Sequence, residues 1–274
     1  MIYDICTFNG ESELFEIRYN ILKDFVDEFR VIEFDETFSG KPKPVLFAQN
    51  WPEVKSYYIT EDIWSKYEDE AKESPNTQYG RGAKHWITEW AMKESLKEVL
   101  TDLKDDDIVL VSDCDEIPDF NKIDLLDNLP IKLKLKVYTY WLNNRSSEEF
   151  WGTLITTYKH IKENCLNHLR SNELFRTDEE MGFHFTSLGG YEKVKEKLTD
   201  SYTAESYATS QVLGNLENNI RENKDFLGRN FTYRIDESEW PEFLKTNRDK
   251  YKHLCLTNLL QNSNQTVEKQ ELKD

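Results

Sequence analysis

The stretch Asp107-Ile-Val-Leu-Val-Ser-Asp113-Cys-Asp115-Glu116-Ile-Pro118 decides the fold of this chain. Its first part, Ile108 to Val111, is a continuous apolar run, which is typical of a strand buried on both faces of a parallel sheet. Such strands present ligand-binding residues at their carboxyl ends, and here that end carries three acidic side chains. Pro118 then prevents a regular element from continuing. The sequence therefore predicts an α/β protein with a functional site directly after this strand.

Asp113 and Asp115 project to similar sides of an extended backbone, because side-chain direction repeats every second residue. Two adjacent carboxylates repel each other unless a proton or a divalent cation lies between them. The pair therefore predicts a site for Mg²⁺ or Mn²⁺ whose open positions accept phosphate oxygens. The alternative is an acidic turn that only solvates the end of a strand. Cys114, between the two, is expected to point inward as a small core residue.

The elements around this strand predict a β-α-β opening and a mixed sequence of later elements. Residues 2–8 and 29–34 are apolar strands, and apolar side chains recur at helical spacing between them, which gives a parallel pair. Further strands are predicted near residues 54–59, 133–139, 153–158 and 183–188, and helices over 85–103 and 191–198. We expect one α/β domain over residues 1–260 with a helical or irregular C-terminal extension, and a disordered tail over 261–274.

Composition excludes several classes of function. The chain of 274 residues has 35 basic and 52 acidic residues, a formal charge of −17. This charge disfavours generic nucleic-acid binding and adsorption to anionic membranes. No window approaches about 18 apolar residues and no signal peptide is recognisable, so no membrane-spanning segment is predicted. The four cysteines are scattered, which favours reduced thiols in a cytoplasm. Because no membrane anchor is predicted, the expected setting is the cytoplasm of a bacterial or virus-infected cell.

Several blocks occur in a recognisable order over about residues 1–200. They are Asn9-Gly-Glu11, Leu14-Phe-Glu16-Ile-Arg18, Ser39-Gly-Lys41-Pro42, Val111-Ser-Asp113-Cys-Asp115-Glu116-Ile-Pro118, Trp151-Gly152 and Gly182-Phe-His184. This order resembles glycosyltransferase family 17, which contains the β-1,4-mannosyl-glycoprotein 4-β-N-acetylglucosaminyltransferases. The resemblance implies a GT-A type fold, with a Rossmann-like, mostly parallel sheet flanked by helices. It also implies a UDP-sugar donor such as UDP-GlcNAc, a divalent metal, inversion at the anomeric carbon, and a glycan or glycoconjugate acceptor.

Donor-side roles follow from the charge of the leaving diphosphate. Asp115 is expected to bind the metal, with Asp113 near the ribose or the metal's outer shell, and the family pattern suggests His184 as the third protein contact. Lys41 and Arg81 are loop cations that could contact phosphate, and Glu33 could accept hydrogen bonds from ribose or uracil. A solvated surface position is the alternative reading for each of these last three residues.

The acceptor hydroxyl requires a general base, most economically a carboxylate near the anomeric carbon. Glu116, Asp178, Glu179 and Glu180 are the candidates, and the last two are favoured because they are expected to precede the strand that carries His184. A platform for the acceptor sugar could be formed by Trp141, Asn143 and Trp151, since indole rings stack on apolar sugar faces. Core packing explains the same residues equally well.

Two other functions are compatible with parts of the sequence. A haloacid-dehalogenase-type phosphatase also has Asp-x-Asp after a strand, with Asp113 as nucleophile and Asp115 as acid/base. That fold usually carries the motif on its first strand and has a later Gly-Asp-x-x-x-Asp block, which this chain lacks. A module that binds a nucleotide sugar without turning it over is the non-enzymatic alternative.

Overall fold

The structure, a computed structural model, describes residues 1–74, 84–124, 129–201 and 204–257. Arg81 and the tail predicted over 261–274 therefore lie outside the described residues. The strands in the described ranges are β1 Ile2–Thr7, β2 Glu28–Phe34, β3 Lys55–Ile59, β4 Ile108–Asp113, β5 Glu116–Pro118, β6 Ile131–Thr139, β7 Asn144–Thr157, β8 Arg176–Thr186 and β9 Tyr233–Ile235.

These strands form one sheet with two different halves. The order is β3-β2-β1-β4-β7-β6-β8-β5, and β9 pairs with β7. Strands β3, β2, β1 and β4 are mutually parallel, whereas β7 joins β4 and β6 in antiparallel pairs and β6 is parallel to β8. Because β5 follows β4 after two residues but pairs with β8, the second half of the sheet curls back toward the end of β4.

Helices cover both faces of the sheet. They are α1 Ser12–Leu22, α2 Phe47–Asn50, α3 Glu61–Trp64, α4 Glu68–Glu73, α5 Lys84–Glu94, α6 Tyr158–Glu163, α7 Leu166–Ser171, α8 Gly190–Asp200, α9 Ala204–Tyr207, α10 Ser210–Arg221 and α11 Glu242–Thr246. Short 3₁₀ turns cover Ser65–Tyr67, Ser95–Val99, Phe120–Lys122, Glu173–Phe175 and Lys252–Leu254. Among the described residues no helix combines the length and the apolar character needed to cross a membrane.

Two large apolar clusters, one on each face, hold the helices to the sheet. Helix α1 buries Phe15 and Ile17 in a cluster with the end of β1 and with α11, while α5 contributes Met92 to a second cluster with β2 and β4. Side chains alternate between the faces of a strand, so neighbouring residues of β1 such as Ile5 and Cys6 enter different clusters. The sheet is thereby buried on both faces, as the apolar run before Asp113 predicts.

The α/β class and the Rossmann-like layout predicted from the sequence are confirmed, and they agree with a GT-A type fold. Some element boundaries are wrong. The predicted helix over 85–103 changes to a 3₁₀ turn at Ser95, and the strand predicted from residue 183 begins at Arg176. Cys114 is buried in the core as predicted, and all four cysteines are free thiols.

Candidate active site

A buried arginine on α1 fixes the turn between β4 and β5. Arg18, on the core face of α1, donates from its guanidinium to the carbonyl oxygens of Asp113 at 3.2 Å and Glu116 at 2.6 Å. Its charge is balanced by Asp4 of β1, whose carboxylate accepts from Nε at 2.7 Å. Charge-assisted hydrogen bonds of this kind are short and strong. The two backbone contacts therefore hold the acidic turn in one conformation.

Asp113 is held by cations that come from the helices behind the sheet. The Nζ of Lys93, on α5, contacts Asp113 Oδ1, and the guanidinium of Arg170, on α7, lies 3.8 Å from the same oxygen. Thr7, its register partner on β1, donates to it at 3.1 Å. Burial opposes ionisation, but the charges of Lys93 and Arg170 outweigh it and lower the pKa of Asp113 to about 2.

Asp115 is paired with a cation from a different helix. Lys197, on α8, donates from Nζ to Asp115 Oδ2 at 2.7 Å and to Thr186 Oγ1 at 3.0 Å. The Nε2 of His184 lies 3.6 Å from the same carboxylate oxygen. Burial opposes ionisation here too, but Lys197 and His184 hold the pKa of Asp115 well below its usual range. Asp115 is therefore an anion at any ordinary pH.

Two glycines allow β5 to fit between its neighbours. A Cβ on Gly152 of β7 would lie 2.7 Å from Cδ of Glu116, and a Cβ on Gly182 of β8 would lie 2.6 Å from the carbonyl oxygen of Ile117. The buried Glu116 side chain packs in the space that Gly152 leaves, and burial, then the charge of Asp113, raises the pKa of Glu116. Both glycines belong to the blocks that carry the resemblance.

A cavity of about 480 Å³ opens on this turn. Its walls are the end of β1, the start of α1, the loop after β2 and the inner face of α8, and Asp113 and Asp115 lie in its floor. Small-molecule sites are commonly about 300–1,000 Å³. Among the described residues that line it, seven are acidic and two are lysines, Lys193 and Lys197. An anionic ligand therefore enters this cavity only with additional positive charge.

The donor chemistry fits a divalent cation shared with a ligand. Asp115 and His184 place a carboxylate oxygen and an imidazole nitrogen 3.6 Å apart, and this pair suits Mn²⁺. The other ring nitrogen, Nδ1 of His184, is buried without a hydrogen-bond partner in the described part of the chain. No three His, Cys, Asp or Glu side chains of that part converge as a complete protein site. Ligand phosphate oxygens would have to supply the remaining coordination positions.

Of the donor-side residues predicted from the sequence, the structure brings Asp113, Asp115 and His184 together. Lys41 lies at the edge of the cavity, where it pairs with Asp200 of α8. Glu33 is elsewhere: its buried carboxylate accepts from the backbone N–H groups of Leu46 and Phe47, at 3.1 and 2.8 Å, at the start of α2. These two backbone N–H groups bind the carboxylate for which the sequence predicts a contact with ribose or uracil.

Of the residues predicted for the acceptor side, Glu116 lies next to the acidic turn. The others do not converge on the turn. Glu179 and Glu180 were expected before the strand that carries His184, but both lie within β8, and this placement is wrong. Glu180 pairs with Arg145 of β7. None of Glu179, Glu180 or the three platform residues lines the cavity.

The predicted acceptor platform is dispersed over separate structural contacts. Asn143 binds the backbone of Leu256, with its Oδ1 accepting at 2.8 Å and its Nδ2 donating at 3.1 Å. Trp151 donates from Nε1 to the carbonyl of Thr177 at 2.9 Å. Trp141 packs beside Tyr140 in a small apolar cluster with α8 and α10. These contacts support the core-packing reading of the three residues.

Charged residues around the site that the sequence did not predict include Arg18, Glu89, Lys93, Arg170 and Lys197. Glu89 lies one helical turn before Lys93, so both project from the same face of α5 toward Asp113. Burial raises the pKa of Glu89 to about 7, against the attraction of Lys93. Only Arg18 carried a sequence signal, since an arginine spaced four residues from Leu14 and Leu22 stands on an apolar helix face.

Comparison with known proteins adds a family assignment. The model of glycosyltransferase family 17 matches residues 1–202. The rat β-1,4-mannosyl-glycoprotein 4-β-N-acetylglucosaminyltransferase is 26% identical over 140 residues, which are 51% of this chain and 24% of the rat protein. The human protein of the same name is 27% identical over 133 residues, 48% of this chain and 23% of its own length. The match thus spans about a quarter of these curated relatives.

A solved structure, the apo form of mouse xyloside xylosyltransferase 1, is weakly similar. It is 9% identical in sequence and superimposes with a TM-score of 0.31. The matched region makes up 64% of this chain and 69% of the mouse chain. This similarity is too low to support an inference about fold or function.

Proposed function

This chain belongs to glycosyltransferase family 17, and on that premise we propose that it transfers a sugar, GlcNAc as the first candidate, from a UDP-sugar to a glycan hydroxyl with inversion. The observation that carries the proposal is the carboxylate pair Asp113–Asp115 in the floor of the 480 Å³ cavity. The names of the curated relatives support GlcNAc as the donated sugar and a glycan as the acceptor.

The donor diphosphate is proposed to bind on the Asp115 side of the turn, where the cavity is open. With seven acidic and two basic residues in its lining, this cavity repels a diphosphate unless a cation accompanies it. Mn²⁺ or Mg²⁺, once bound, would neutralise the charge that develops on the leaving diphosphate. Asp115 and His184 would hold that ion, and Asp113 would lie beside it.

The acceptor is proposed to approach on the Asp113 side, where Glu89, which lies outside the cavity lining but is affected by the charge of Asp113, acts as the general base. A base is most effective when its pKa lies near the working pH, and Glu89, with a pKa of about 7, meets this condition. Lys93 contacts Asp113, and its positive charge also acts on Glu89. Glu116, the base candidate that the structure keeps near the turn, is buried and accepts a 3.4 Å hydrogen bond from the N–H of Asp113.

The test is release of UDP from a panel of UDP-sugars offered with Mn²⁺ and glycan acceptors. Asp115→Asn is expected to lower the rate by about 1,000-fold or more, because the negative charge that develops on the leaving diphosphate in the transition state is then poorly stabilised. Asp105→Asn, at an exposed position paired with Lys162, is the matched control and should retain the wild-type rate. Equal rates for wild type and Asp115→Asn would end the proposal.

Two other results would replace the proposal with a different function. Phosphate release from a generic phosphomonoester, abolished by Asp113→Ala, would identify a phosphatase. Tight UDP binding without turnover of any sugar or acceptor would identify a non-catalytic binding module.

A further inference from the structure

The carboxylate oxygen that would bind a metal already holds a cation of the protein. Lys197 Nζ lies 2.7 Å from Asp115 Oδ2, the same oxygen that His184 approaches. A divalent ion and an ammonium group cannot both contact this oxygen without strong mutual repulsion. Binding of a metal alone must therefore break the Lys197–Asp115 ion pair.

Lys197 is placed to exchange partners without leaving the cavity. Its side chain is 50% exposed, whereas that of Asp115 is 11% exposed. It extends from the wall of α8 that lines the cavity, and Lys193 lies one helical turn earlier on the same wall. Apart from Asp115, its polar contact is the hydroxyl of Thr186. A diphosphate in the cavity would offer the ammonium group a new anionic partner close to the old one.

We propose that Lys197 is an exchangeable counter-cation that makes metal binding at Asp115 conditional on the donor diphosphate. Without diphosphate, Lys197 neutralises Asp115 and opposes the metal. With diphosphate present, Lys197 moves to a phosphate oxygen, and Asp115 becomes available to a metal that the phosphates also coordinate. Lys197 is thus a positioning residue, and the inference rests on the proposed donor site.

This exchange is a coupling between two ligands, and such coupling is reciprocal. UDP must raise the affinity for Mn²⁺ by the same factor by which Mn²⁺ raises the affinity for UDP. Part of the factor comes from direct coordination of metal by phosphate and does not involve Lys197. The part that Lys197 contributes is isolated by removing its charge.

The experiment measures Mn²⁺ binding by the electron paramagnetic resonance signal of free Mn²⁺, with and without UDP. Lys197→Met is compared with wild type and with Lys195→Met, a variant with the same charge change on the same helix, at a residue that packs over Tyr191 and is absent from the cavity lining. In Lys197→Met, Mn²⁺ alone should bind about 10-fold more tightly, equivalent to about 1.4 kcal/mol. The enhancement by UDP should shrink by a similar factor, and Lys195→Met should remain within about twofold of wild type.

Each outcome separates this inference from the proposed function. If UDP binds and enhances Mn²⁺ binding equally in wild type and Lys197→Met, the inference is wrong and the donor site stands. If no variant binds UDP with or without Mn²⁺, the proposed function fails and the inference fails with it. A smaller enhancement in Lys197→Met, with Lys195→Met unchanged, supports both.

Discussion

Asp113 and Asp115 stand two residues apart, yet their surroundings differ in the kind of cation that each holds. Asp113 is paired with Lys93, which is 3% exposed and reaches it from behind the sheet. Asp115 is paired with Lys197, which is 50% exposed on a cavity wall. The first cation is buried and the second lies where a ligand can reach it, although both carboxylates line the cavity, Asp113 at 37% and Asp115 at 11% exposure. Neighbouring acids on one turn can therefore have one buried and one accessible counter-cation.

On the Asp113 side, the largest effect is expected from loss of the proposed base. Glu89→Gln should lower the transfer rate by about 100- to 1,000-fold, within the range of general-base catalysis. The wild-type rate should rise with pH and reach half its maximum near the Glu89 pKa of about 7, because only the ionised carboxylate accepts a proton. A pH–rate profile of both proteins measures this, and an unchanged profile in Glu89→Gln would transfer the role to another carboxylate.

Glu89→Gln should raise the stability of the fold although it lowers the transfer rate. The folded-state pKa of Glu89 is raised to about 7, so the folded protein binds more protons than the unfolded chain between about pH 4.5 and 7. Ionisation of Glu89 therefore costs stability as pH rises through this window. At pH 8, the free energy of unfolding of Glu89→Gln should exceed that of wild type by roughly 2 kcal/mol. At pH 5, the two values should differ little. Urea denaturation at the two pH values is the measurement.

The next effect compares the two lysines directly. Lys93→Met removes a buried ammonium group from Asp113, which is itself 37% exposed and keeps Arg170 nearby, and should lower the free energy of unfolding by about 1–2 kcal/mol, since one partner of a half-buried pair is lost. Lys197→Met removes an exposed partner and should cost less than about 1 kcal/mol. Equal losses in urea denaturation would contradict the division into a buried and an accessible counter-cation.

A further effect concerns the strand that follows both aspartates. Gly182→Ala brings a Cβ to 2.6 Å from the backbone oxygen of Ile117 and should cost about 1–3 kcal/mol, because overpacking displaces β5. Gly214→Ala is the control, since no atom lies within 4 Å of its added Cβ on α10. It should instead stabilise the helix by about 0.5–1 kcal/mol. Thermal unfolding of both variants distinguishes crowding at β5 from a general effect of replacing glycine.

The sequence analysis was most successful where the signal is local. The apolar run before Asp113 predicted a buried strand, and the alternation after it predicted that Cys114 turns inward, both of which the structure confirms. It was least successful where a polar residue had two possible partners. Glu33 and Asn143 were candidates for ligand contacts, with a solvated strand end and core packing as the alternatives; one accepts from backbone amides at the start of α2 and the other binds the backbone of Leu256.

The amino-acid sequence by itself determined the α/β class, the family and the acidic turn, because hydrophobic periodicity and short blocks are properties of neighbouring residues. Only the tertiary structure decided which cations neutralise that turn. Lys93 precedes Asp113 by 20 residues and Lys197 follows Asp115 by 82, and no spacing rule connects such positions. Their meeting depends on helices packed on a curled sheet, which bury Lys93 and leave Lys197 exposed to the cavity.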